Sequence, residues 1–341
     1  MKNSRIVDSL AFLLILPLTI FTGGVSAADI SQSPAPSVTV RAAYTPGIAP
    51  QLPILAAERL GLFRKYGVKV ELLPVGDFGS TFTAFVGQKA DTMLAGPDQI
   101  ISVNVNSPRF RGVLSVLNNT LISLIAKPGI TSVQDLKGKT GVAATSNDIR
   151  VILTSRYLKS RGMNVTDVNW LAAGTPAGLL AALLADRADF TVLPAPQLFV
   201  AEQKGFRVLV PGSGFGEYPT LELAFSADYI KQNREAVRRV VEAVAEAQTI
   251  LKANRERGLP ILTELLNSQD AVLVGKTYDW LAPNLDPGCV SLKGLKLVQE
   301  DVVVQSPQAA NVSLALTVDE SFVREIAARN GAIISTKHCG T

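Results

Sequence analysis

From residue 38 onward the chain alternates short apolar runs with amphipathic stretches, and this alternation restarts once in mid-chain. Residues 38–43, 68–75, 92–95 and 110–117 read as strands: each is rich in Val, Leu or Thr and bounded by Gly, Pro, Asn or Asp. Between them, residues 51–65 bring Ile54, Leu55, Leu60, Leu62 and Phe63 near one helical face. Ser80 can cap a short helix after the 76–79 turn, and Asp98 one that runs to Asn104. The second cycle has strands at 121–126, 140–144, 168–171, 190–193 and 208–210. Its helices open at Thr145-Ser146-Asn147, at Gly174-Thr175-Pro176 and at Pro196. A glycine-rich loop at 211–218 leads to a strand at 221–226, and the remainder reads as helices at 233–255, 259–266, 271–281 and 319–330.

Strand–helix alternation of this kind predicts an α/β protein with largely parallel sheets. The folded part, about 300 residues, is long for one core and typical of two. The expected organisation is an interrupted one. Residues 38–120 begin lobe one, 121–220 form lobe two, and 221–341 return to lobe one and wrap it in C-terminal helices. Two sequential domains are the alternative. In the interrupted form the chain passes between lobes twice, near Leu121 and Leu221, so a hinge and an inter-lobe cleft are expected.

The first 27 residues do not belong to this pattern. Lys2 and Arg5 precede the apolar run LAFLLILPLTIF, and Val25-Ser26-Ala27 supplies the small residues of a cleavage site. The run is short for a bilayer span, which needs about 20 apolar residues. It reads as an export signal removed after Ala27, with Ala28 where a lipoprotein would need cysteine. Residues 28–37 form a flexible polar leader containing SQSPAPS. The expected product is a non-lipidated periplasmic protein.

Two cysteines, Cys289 and Cys339, in an oxidising compartment suggest one disulfide tying the C-terminal tail to an upstream turn. The formal charge of +4, about +3 without the signal, comes with no basic run, so nucleic acid is not implied. The one histidine, His338, is expected as a solvated tail residue. A Ser–His–Asp or Cys–His set would have to use it, and histidine-based metal sites are excluded, so no catalytic residue, metal or cofactor is assigned. Nucleotide-binding glycine fingerprints are also absent.

Binding features are better represented. In open α/β sheets ligands gather beyond strand carboxyl ends, at helix N-termini. Six small, polar loops occupy such positions, around residues 44–47, 76–81, 96–99, 145–148, 174–175 and 194–196. They yield the candidate ligand contacts Tyr44, Asp77, Phe78, Ser80, Asp98, Thr145, Asn147, Thr175 and Tyr218. Asp77, Asp98, Asp148 and Glu217 outnumber the nearby cations Arg150 and Lys127. Tyr44, Phe78 and Tyr218 could stack on a planar body. That balance leans toward a neutral or zwitterionic organic solute, with an anion left open.

Residues 53–70, from Pro53 through AAERLGLFRKYGVKV, resemble the opening of the NMT1/SsuA-like solute-binding proteins of ABC importers. GQKAD at 87–91, DLKGKTGV at 135–142, and LADRADF at 184–190 followed by Pro194 are similar to further landmarks of that family. The resemblance covers roughly residues 38–330. It implies a type II periplasmic-binding fold that closes on a small solute in Venus-flytrap fashion. It also implies delivery to a membrane permease, as a monomer, by a protein that is not an enzyme. Known ligands of such proteins include sulfonates, taurine, nitrate and pyrimidine precursors. A secreted sensing subunit for a membrane receptor is an alternative. A relative of the thiamine-pyrimidine synthases is another, weakened by their dependence on internal histidine chemistry.

Overall fold

The computed structural model describes residues 38–143, 149–173 and 176–340. The first sheet is built from β1 (Thr39–Tyr44), β2 (Lys69–Pro74), β3 (Thr92–Ala95) and β4 (Phe110–Asn119). Among these strands lie α1 (Leu52–Arg59), α2 (Leu62–Lys65), α3 (Phe78–Val86) and α4 (Pro97–Val103). A second sheet follows, with β5 (Ser123–Ala126), β6 (Thr140–Ala143), α5 (Ile149–Ser160), β7 (Asn169–Ala172), α6 (Pro176–Leu184), β8 (Phe190–Leu193), α7 (Gln197–Gln203) and β9 (Arg207–Val210). The chain then returns through β10 (Glu217–Ser226). It ends in helices α8 (Ala227–Gln232), α9 (Arg234–Ala253), α10 (Arg255–Leu266), α11 (Ala271–Leu281), α12 (Leu292–Gln305) and α13 (Ser321–Asn330).

The sheet orders are β2-β1-β3-β10-β4 and β7-β6-β8-β5-β9. In the first, β1 pairs in parallel with β2 and β3, while β10 lies antiparallel between β3 and β4, with Leu223 opposite both Leu94 and Leu114. In the second, β6 is parallel to β7 and β8, and β5 is antiparallel to β8 and β9. Two sheets, each with its own helices, make the two-lobe α/β arrangement that the sequence predicts.

Apolar periodicity sets the layers. In α9, Val237, Val240, Val241, Val244, Ala247 and Leu251 recur at helical spacing and are fully buried. They pack with Leu52, Ile54 and Leu55 of α1 and with Phe225. The opposite face of the first sheet is closed by Phe85 and Ile100 against Ala43, Met93 and Ala224. In the second sheet, Val142 and Leu193 meet Leu179 and Leu183 on one face, while Leu124 and Phe190 meet Leu153 and Leu158 on the other. No helix among the described residues is long and apolar enough to cross a membrane.

Several local expectations are corrected. The 51–65 helix is two helices, because Gly61 adopts φ +70° and restarts the chain in α2. Asp77, not Ser80, caps α3, and Ser80 sits in the first turn as donor to it. Helix α4 begins at Pro97 after Gly96, so Asp98 is inside the first turn. Helix α10 starts at Arg255, one turn earlier than read, capped by Asn254. Helix α12 was not anticipated. Its Val298 and Val302 pack with Leu153, Leu158 and Val210 beside the second sheet, together with Ile101 of α4.

Cys289 and Cys339 form a disulfide with Cα atoms 5.1 Å apart. His338 is not a solvated tail residue. Its side chain is 13% exposed, with Nδ1 3.1 Å from Glu217 and Nε2 3.4 Å from Asp286.

Candidate functional site

Loops at the carboxyl ends of strands in both sheets line one cavity of about 320 Å³. The first lobe contributes the β1–α1 connection, 47–51, and Phe78 at the start of α3. The second contributes Arg150 of α5 and the β8–α7 loop, 194–197, whose Ala195–Pro196 peptide is cis. The floor is made by Leu117 of β4, by Thr120–Ile122 where the chain leaves the first sheet, and by Thr220–Leu221 of β10, and Trp280 of α11 adds an aromatic wall.

Local chemistry fixes each part. Gly47, at φ +80°, turns the chain out of β1, and its N–H donates to the Leu265 carbonyl at 2.8 Å. Pro50 presets the short 3₁₀ turn that delivers Gln51. Thr45 and Thr81 hydroxyls, 2.8 Å apart, tie this loop to α3. The Asp77 carboxylate accepts from the Ser80 N–H at 2.8 Å and the Ser80 hydroxyl at 2.6 Å, which anchors the turn carrying Phe78. Across the cavity, Arg150 Nε donates to the Val192 carbonyl at 3.1 Å, which holds the guanidinium against β8. Trp280 meets Phe199 edge-on, centroids 6.4 Å apart. Thr220 Oγ1 donates to the Asn119 carbonyl at 3.0 Å, tying β10 to the end of β4.

Two amide side chains in the wall are incompletely paired. Gln51 is fully buried; its Nε2 donates to the Leu94 carbonyl at 3.4 Å, and its Oε1 has no hydrogen-bond partner among the described residues. Gln197 Oε1 is likewise buried and without such a partner.

A second cavity, of about 490 Å³, lies among α4, α5 and α12 and is lined by Asp98, Ser102, Ile149, Tyr218, Asp301 and others. Tyr218 donates its hydroxyl to Asp301 at 2.9 Å, and Arg156 pairs with the same carboxylate. Burial pushes the Asp301 carboxyl above its ordinary value, opposed by Arg156 and Tyr218. Burial, with Asp301 adding to it, raises the Tyr218 hydroxyl.

The nine sequence-derived candidates therefore separate. Phe78 lines the first cavity, and Asp98 and Tyr218 the second. Tyr44 packs against the core of the first lobe, and Asp77 and Ser80 are engaged with each other. Thr145, Asn147 and Thr175 lie outside the described residues. Asp77, Asp98 and Glu217, counted as acids facing the ligand, do not line the first cavity, and among the described residues Arg150 is the charged side chain that does. Asp148, the fourth acid of that count, lies outside the described residues. Gln51, Gln197 and Trp280 were missed. Gln197 sits one residue beyond the recognised 194–196 loop, a signal that was available, whereas Gln51 lies four residues past the 44–47 loop. Trp280 comes from a helix remote in sequence, and no local pattern marks it.

The sequence profile of the NMT1/THI5-like family matches residues 50–257. Comparison with curated proteins finds no match. Among solved structures, the periplasmic aliphatic sulphonate binding protein SsuA from Escherichia coli is 18% identical with a TM-score of 0.70, covering 82% of this chain and 92% of its own. The periplasmic nitrate-binding protein NrtA from Synechocystis PCC 6803 is 15% identical with a TM-score of 0.67, covering 90% and 94%. The desulfurization enzyme DSZB is also similar, at 18% identity and a TM-score of 0.63 over 85% of this chain and 99% of its own.

Proposed function

Because this chain belongs to the NMT1/THI5-like family, we propose that it is the extracytoplasmic substrate-binding subunit of an ABC importer. In this reading the export signal is removed after Ala27. The monomeric product works in the periplasm, where its lobes close on one small organic solute and hand it to a membrane permease. The observation that carries the reading is the cavity of about 320 Å³ walled by strand-end loops of both sheets and floored by β4, β10 and the 120–122 passage. A solute there touches both lobes at once, so it favours closure by as much as it binds the closed form better. The passages at 120–122 and 211–216 act as the hinge.

The wall points to the kind of solute. Ile48, Leu117, Leu121, Phe78 and Trp280 are apolar, and Arg150 adds one positive charge. A bare nitrate would leave most of that wall without a partner, whereas an organic sulfonate or carboxylate would use both features. The fold is shared with an enzyme, so recovery of the solute unchanged is part of the test. Calorimetry with aliphatic and aromatic sulfonates, carboxylates and nitrate is expected to give saturable heat for the organic anions. Small-angle scattering should report a smaller radius on binding. Arg150→Met should weaken binding at least tenfold. Turnover of the solute, or no binding by any member, would overturn the proposal.

A further inference from the structure

Resting on this capture reading, we infer that the solute carries an N–H donor, as an amine, a carboxamide or a ring N–H, on its apolar body. The Gln51 amide cannot be reversed at no cost. Its Nε2 points at the Leu94 carbonyl, which accepts a hydrogen bond and cannot give one, so the oxygen is the end left over. That oxygen is in a fully buried side chain in the cavity wall and has no partner among the described residues. An unpaired buried carbonyl is costly, and native proteins seldom keep one without use.

Gln197, half-buried on the other lobe, also has a buried, unpartnered Oε1 in the same wall, although no hydrogen bond among the described residues fixes which end of its amide faces which way. Closure brings the solute against one such carbonyl from each side, and an NH₂ group has one N–H for each. A solute lacking the donor leaves both oxygens desolvated and unpaired, so the pair discriminates between solutes of equal shape. Phe78 and Trp280 supply aromatic surface for the body that bears the group.

Two isosteric pairs, each differing by NH₂ against CH₃, test this by calorimetry on the mature chain: benzamide with acetophenone, and 4-aminobenzenesulfonate with 4-methylbenzenesulfonate. The NH₂ member of each pair is expected to bind at least tenfold more tightly. Gln51→Leu should erase that preference, so that the two members of each pair bind equally. Gln197→Leu, at a half-buried position, should reduce the preference and provides the same comparison if Gln51→Leu does not fold. Equal binding within the pairs, or a preference undiminished in both variants, overturns the inference. If organic anions bind but the pairs do not differ, capture stands and the donor requirement falls. If nothing binds, the capture reading falls with it.

Discussion

Glu222 is a carboxylic acid in the wrong solvent. It is 1% exposed, its Oε2 has no partner among the described residues, and its carboxyl lies over Gly112, where a Cβ would come within 2.4 Å of it. Burial, reinforced by Asp98, lifts its pKa well above the ordinary carboxyl value of 4.5. The folded state therefore keeps this proton to higher pH than the unfolded chain does. The proton's favourable contribution is full below the unfolded value and declines as pH rises toward the folded one. Glu222→Gln removes the ionisation and keeps the shape. It should stabilise the protein at pH 8, where the wild-type carboxyl is penalised for ionising in a buried site. Below about pH 4 the difference should vanish. Urea unfolding at the two pH values measures this, and equal gains at both would mean that packing, not ionisation, is responsible.

Helix α12 joins parts that are distant in the chain. Asp301 accepts from Arg156 of α5 and from Tyr218 of β10, while Arg156 also donates to the Leu297 carbonyl at 3.3 Å. Asp301→Ala leaves a guanidinium and a buried hydroxyl without their acceptor and should cost about 2–4 kcal/mol in chemical denaturation, with Asp301→Asn milder. The Cys289–Cys339 bond closes a separation of 50 residues. Replacing both cysteines by serine should lower stability by about 2–4 kcal/mol, measured without reductant; adding reductant should then leave the variant unaffected. These elements also mark how far sequence reading reached. The strand at Phe190–Leu193 and the helix at Ala271–Leu281 are as read, because both are bounded by turn residues and have one clear period. Helix α12 escaped because Gly294 interrupts it early and a run of valines, 302–304, mimics a strand. Its cues were nonetheless present: Ser291, whose side chain accepts from the Gly294 N–H, and Leu295, Val298 and Val302 at helical spacing. The cavity was half legible for a related reason. Loops that open helices announce themselves by composition, as around Phe78. A fully buried Gln51 or a tryptophan delivered from α11 is decided by tertiary packing alone.

At the scale of the whole molecule, the order of strands in space differs from their order in the chain. Strand β10 occupies the place between β3 and β4, although nearly a hundred residues and the whole second sheet separate it from β4. The five strands of the second sheet, by contrast, are consecutive in sequence. Contacts between distant segments form late because loop closure must be met first. In refolding followed by pulsed hydrogen exchange, amides of β6 and β8 should gain protection before Leu94 in β3, and Leu94 together with Leu223. Protection of Leu94 ahead of β6 would contradict that order. Under the export proposed above, the same placement bears on passage through a membrane pore as a linear polymer. Until residue 226 has been made, the first sheet lacks β10, the strand that joins β3 to β4, and cannot lock. In that proposal, where one strand sits in the gene sets threading ahead of folding for the first sheet.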